Sequence, residues 1–103
     1  MSLTLQSYIA QVQNGSLHPQ EVIAQYIQKA KDKQSSYNAF IRFHDEYTAN
    51  ITIDTSNLLA GVPIAIKDNI LMKGSISSCG SRMMENYVAP YDATCLANVV
   101  KAG

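Results

Sequence analysis

The residues best equipped for chemistry lie between Leu59 and Gly103. The apolar run from Gly61 to Ile66 leads straight into Lys67, Asp68 and Asn69, and a loop carrying Ser75, Ser77, Ser78 and Ser81 follows. A lysine fixed at the end of a buried strand loses hydration, which disfavours its charged form and poises it as a base. A serine beside such a lysine is a known nucleophile arrangement. Serines in a glycine-bearing loop more often form turns and hydrogen-bond the backbone, and that is the first reading of these four. Asp68 and Asn69 have the side chains to orient a loop or to bond the backbone. Lys67 is therefore the catalytic candidate, with no partner beside it obvious enough to complete an active site.

Other chemistries lack their parts. The run Ile64, Ala65, Ile66, Lys67 has the pattern of the phosphate-binding strand of protein kinases, which requires a G-x-G-x-x-G loop upstream. The glycines stand at 15, 61, 74, 80 and 103 and form no such loop. His18 and His44 are isolated and read as structural. Cys79 and Cys95 lack the further ligands of a zinc site and read as reduced thiols, with Cys95 packed in a core. Met72, Met83 and Met84 read as packing. Eight basic and eight acidic residues cancel, so nothing draws this segment to a polyanion. The N-terminus has neither a positive region nor an apolar run of signal or membrane length, which predicts a soluble, cytoplasmic protein.

The elements that must position Lys67 are legible in part. Leu5, Tyr8, Ile9 and Val12 fall at helical spacing before a stop at Asn14 and Gly15, predicting a helix over 4–13. Pro19 and Glu21 open a second helix with the stripe Val22, Ile23, Tyr26, Ile27 and Ala30, ending in the region of Lys29 to Lys33. Ser35 to Asn38 reads as a turn and Ala39 to Phe43 as a strand. His44 to Asn50 reads as a helical turn and Ile51 to Ile53 as a further strand, which periodicity does not separate. Val62 to Ile66 fits a strand buried on both faces, with Pro63 near its start. A short helix falls within 79–87. Asp92 is placed to cap a last helix bearing Ala93, Leu96, Val99 and Val100. Lys101, Ala102 and Gly103 close it, where an α/β unit would lead into another strand, so the unit reads as cut at its midpoint. At 103 residues the chain holds one domain at most.

Leu59 through Ile70, Lys73 with Gly74, Cys79 to Ser81, Glu85 to Tyr87 and Pro90 to Thr94 together resemble the amidase signature family. The blocks Ser78 to Ser81, Met84 to Tyr87 and Pro90 to Thr94 are most similar to the A subunits of tRNA-dependent amidotransferases. Asn38, Ala39, Phe40 and the two N-terminal helices suit that group less specifically. The resemblance spans the chain, strongly from Leu59 onward. Residues 44–58 depart from it, being more Thr- and Asn-rich than the alanine-rich helix usual there.

The resemblance implies an α/β fold: the N-terminal part of the amidase signature fold, with two leading helices and then strands of a mixed sheet flanked by helices. Residues 1–103 would be an incomplete N-terminal fragment of a single amidase domain. Members of the family hydrolyse amides with a serine, a second serine preceded by a cis peptide bond, and a lysine, whose position Lys67 matches. The two serines belong to a Gly/Ser-rich signature further downstream, and Ser77, Ser78 and Ser81 do not match them. The implied activity is that of a glutaminase. Its ammonia would be used by a B subunit, with ATP and Mg2+, to convert Glu-tRNA(Gln) to Gln-tRNA(Gln), with a C subunit supporting the heterotrimer. Amidation of Asp-tRNA(Asn) uses the same type of subunit. No cofactor or metal site is expected in this chain, which on its own should be inactive. The alternatives are a stand-alone hydrolase of small amides from the same family and a non-catalytic structural remnant.

Overall fold

Thr4 accepts a hydrogen bond from the Ser7 amide at 3.1 Å, and Ser7 returns one from the Thr4 amide at 3.0 Å. This reciprocal cap starts α1 (Leu5–Gln13), which buries Tyr8 and Val12. The Asn14 amide closes the helix on the Ala10 carbonyl, and Gly15 turns the chain at φ +79°. Residues 3–103 are described in the computed structural model. The remaining elements are α2 (Pro19–Tyr37), α3 (Asp45–Asn50), a 3-10 turn (Arg82–Met84) and α4 (Thr94–Lys101). They fall into two compact units: the described residues up to Pro63 together with Ala102 and Gly103, and Ile64–Lys101.

In the first unit α2 begins as expected, with His18 at the N-cap position, Pro19 in the first turn and Val22 and Ile23 buried. It runs past Lys33, however, and takes Ser35, Ser36 and Tyr37 as its last turn. A helix stops where a residue accepts the left-handed conformation and turns its amide back, and here Asn38 does so at φ 47°, ψ 44°, donating to the Gln34 carbonyl at 2.7 Å. The lysines have no means of ending it. Gln34 then holds the exit. Its Nε2 donates to the Phe40 carbonyl at 2.6 Å and its Oε1 accepts from the Phe40 amide at 3.1 Å. The strand expected at Ala39 to Phe43 is thus irregular backbone whose bonding at Phe40 goes to a helix side chain. Lys31 meets Asp45 at 2.7 Å and lies 5.5 Å from the centre of the Phe43 ring. Both partners of that ion pair are well exposed, so it is worth at most about 1 kcal/mol.

The helical reading of His44 to Asn50 is realised as α3, with Asp45 and Glu46 in its first turn. Ile51 to Ile53 forms no strand. The core of this unit is Tyr8, Val12, Val22 and Ala60, with Leu3, Ile9, Leu17 and Val62 packed against it. The Tyr8 hydroxyl reaches the carbonyls of Ala60 and Gly61 at 3.2 and 3.1 Å. Ala60 and Gly61 both have positive φ. A Cβ at Gly61 would lie 2.7 Å from Ile53 Cγ2, so this position needs glycine for its conformation and for space. The amides of Leu59 and Gly61 donate to the carbonyls of Ala102 and Gly103 at 2.9 and 2.7 Å.

The strand expected at Val62 to Ile66 requires the main correction. The segment forms no ladder, and Pro63, Ile64 and Ala65 are exposed. A strand buried on both faces needs neighbours on both faces, and among the described residues the one β pairing is the isolated antiparallel bridge between Ile76 and Val88. The mixed sheet is accordingly absent from the described residues, which hold helices, turns and extended segments. No described helix is long and apolar enough to cross a membrane.

Two substitutions test this account. Gly61→Ala should destabilise the chain by about 2–3 kcal/mol in urea unfolding, against about 1 kcal/mol for Gly74→Ala, which shares the positive φ but meets open space. Equal losses would contradict the Ile53 contact. Burial pushes the Tyr8 phenol above its ordinary value, so the unfolded chain ionises first as pH rises. Tyr8's contribution is therefore whole below about pH 10 and is lost as pH climbs through the higher folded value. Tyr8→Phe should cost about 1–2 kcal/mol near neutrality and flatten that alkaline decline.

Candidate active site

Lys67 opens a turn in the second unit, closed by the Ile70 amide on the Lys67 carbonyl at 2.9 Å. The chain from Leu71 to Ser77 is then fastened to residues 87–93. The Ala93 amide donates to Leu71, the Gly74 amide to Ala89, the Ala89 amide to Ser75 and the Ser77 amide to Tyr87, all at 2.9 to 3.0 Å. Asp92 takes part in this lacing through its carboxylate, which accepts the Lys73 amide at 2.7 Å. It is therefore not the cap expected for α4. That helix starts at Thr94, two residues on, and the Ala97 amide closes its first turn on the Ala93 carbonyl.

The serine loop docks on Asp68. Ser77 Oγ donates to the Asp68 carbonyl at 2.8 Å, and the Cys79 amide donates to the same oxygen at 3.3 Å. Ser78 gives both its amide, at 2.9 Å, and its hydroxyl to the Asp68 carboxylate. Ser78 Oγ also accepts from the Gly80 amide at 3.3 Å. Ser77 and Ser78 are 2% and 5% exposed, so these bonds are what makes their burial tolerable. Cys79 and Gly80 turn the chain at φ 51° and 69°, after which Ser81 Oγ accepts the Met83 amide at 3.3 Å and caps the 3-10 turn.

The serines are thus turn formers and backbone bonders, as their setting suggested. Lys67 is exposed, on a turn rather than at the end of a buried strand, and among the described residues its ammonium makes no hydrogen bond or ion pair. The burial expected for Lys67 is thus not found among the described residues. Cys95 is likewise exposed rather than packed, and Met83 is 97% exposed. His18 makes no side-chain capping bond at its helix start. No three described His, Cys, Asp or Glu side chains come together to hold a metal. Two surface depressions, each about 300 Å³, are lined by residues of the first unit and do not involve Lys67. The residue that sequence reasoning undervalued is Asp68. Its signal was weak, an acid next to the lysine with a Ser-Ser pair nine and ten residues on, because spacing alone does not reveal the intervening turns.

The lysine turn, the serine loop and the Asp92 clasp lie within a stretch that known proteins share. The model of the Amidase family matches residues 21–103, and the chain belongs to that family. The glutamyl-tRNA(Gln) amidotransferase A subunit of Synechococcus sp. (strain CC9605) is 33% identical over 110 residues, covering 98% of this chain and 22% of that protein. The protein of the same name from Akkermansia muciniphila is 36% identical over 102 residues, covering 97% and 22%. The one from Syntrophobacter fumaroxidans is 53% identical over 45 residues, 44% of this chain and 9% of its own length. The chain thus spans 22% of the length of the first two relatives.

The exposure of both thiols has a direct consequence. Cys79 and Cys95 should both react with a thiol reagent in native protein at rates close to those in denaturant. A Cys95 that reacts only after unfolding would show it to be packed.

Proposed function

We propose that this chain is the N-terminal part of the glutaminase component of a tRNA-dependent amidotransferase, and that Lys67 is its catalytic lysine. The observation that carries this reading is the family match running through Lys67, joined to the similarity of nearly the whole chain to A subunits of glutamyl-tRNA(Gln) amidotransferase. Amide hydrolysis makes two demands on such a residue. The attacking serine must lose a proton, and the departing ammonia must gain one. A lysine relays both protons through a bridging serine if its ammonium is covered and its backbone held. The turn at Lys67 supplies the second condition. Coverage would come from the rest of the amidase domain, which would also pair with Val62 to Ile66 and make it a strand of a mixed sheet.

In this reading the serine nucleophile and the bridging serine belong to the family's Gly/Ser-rich signature, which has no counterpart in residues 1–103. This segment alone is therefore inactive. The ammonia passes to a B subunit that uses ATP and Mg2+ to convert Glu-tRNA(Gln) to Gln-tRNA(Gln), with a C subunit completing the complex in the cytoplasm. No residue described here is assigned to ATP or to the metal.

Joining or coexpressing this segment with a chain that carries the Gly/Ser-rich signature should give glutamine hydrolysis, and Lys67→Ala should lower it by about 10²–10⁴-fold. Hydrolysis by residues 1–103 alone, or full activity in Lys67→Ala, would overturn the reading. Hydrolysis of small amides without transfer of ammonia to tRNA would favour a stand-alone amidase.

A further inference from the structure

Lys67 and Asp68 are adjacent and bonded in opposite ways. The Lys67 ammonium is free among the described residues. Asp68 receives four hydrogen bonds from the serine loop, two on its carbonyl and two on its carboxylate. The lysine side chain has four rotatable carbon–carbon bonds and nothing to hold its tip. What the scaffold fixes is therefore the direction in which the chain leaves the backbone, and the peptide that Lys67 shares with Asp68 sets it. We propose that Asp68, acting with Ser78, is the positioning residue for Lys67. This inference rests on the reading of Lys67 as the catalytic lysine.

The bonding around Asp68 is suited to that task. The Gly80 amide donates to Ser78 Oγ, whose own proton goes to the carboxylate, so the two bonds polarise one another in a buried setting. The Ser78 amide on the same carboxylate oxygen adds a second point and prevents rotation about the first. The loop making these contacts is itself anchored by the Ser77 amide on the Tyr87 carbonyl. Removing the carboxylate would leave a buried hydroxyl and amide unpaired, and the loop would have to open to rehydrate them. Lys67 would then sit on a loose turn. Ser78 is itself 5% exposed, and its hydroxyl, bonded to Asp68 and Gly80, holds the loop in place. An amide side chain of the same shape still offers an oxygen to the Ser78 amide, so geometry rather than charge is the requirement.

The test is glutamine hydrolysis by the full-length protein that contains this segment, in its complex. Asp68→Ala should lower kcat about 100-fold, the cost of a misplacement on the order of 1 Å, while KM for glutamine stays within about threefold. Asp68→Asn should restore kcat to within about tenfold, and Ser78→Ala should lie about tenfold below the unaltered protein. Unaltered kcat in Asp68→Ala, an asparagine no better than alanine, or a rise in KM alone would overturn the positioning role. If Asp68→Ala does not fold, Ser78→Ala decides, since it removes one hydroxyl; unchanged kcat there overturns the proposal. Lys67→Ala run in parallel separates the two ideas. Loss of activity in it with unchanged Asp68→Ala overturns positioning alone, whereas activity in Lys67→Ala overturns both.

Discussion

A polar atom taken out of water must find a partner inside, and in the second unit this requirement converges on Asp68. Ser77 and Ser78 are buried, and three of their donors end on this one residue, joined by the Cys79 amide. The loop they belong to is too short of apolar side chains to be held by burial. It is held by hydrogen bonds, and its position therefore depends on direction as well as proximity. Interactions of this kind tolerate little displacement.

The first unit solves a similar problem by other means. Its core is small, and the bend at Ala60 and Gly61 places two carbonyls where an apolar neighbour would leave them unpaired. Tyr8 covers this bend with its ring and reaches both carbonyls with its hydroxyl. One side chain thus contributes apolar burial and polar satisfaction at the same place. The positive φ of both bend residues makes the backbone there dependent on that support. The cap at Thr4 and Ser7 sets where α1 starts, which places Tyr8 one turn inside the helix.

Lys67 stands exposed on a hydrogen-bonded turn within the stretch that the Amidase family model matches. The backbone that follows Lys67 is held by the turn that the Ile70 amide closes and by the bonds on Asp68. The relatives that the chain matches are longer, and this chain covers 22% of two of them.

The sequence by itself determined the elements whose cause is local. Thr4 and Ser7 cap a helix of matching periodicity, Pro19 and Glu21 start another, and a motif centred on Lys67 marks the family. Each depends on neighbours within a few positions. The strands were misread because an apolar or β-branched run states a preference for extended backbone, whereas a strand exists only when another segment lies beside it. The end of α2 was missed because the left-handed turn at Asn38 outweighs the charges before it. Only the tertiary structure decided that Asp92 clasps Lys73 rather than capping α4, and that Asp68 gathers Ser77, Ser78 and Cys79. These pairs are separated by 9 to 19 residues, and a hydrogen bond across that interval depends on every turn between them, which no local pattern encodes.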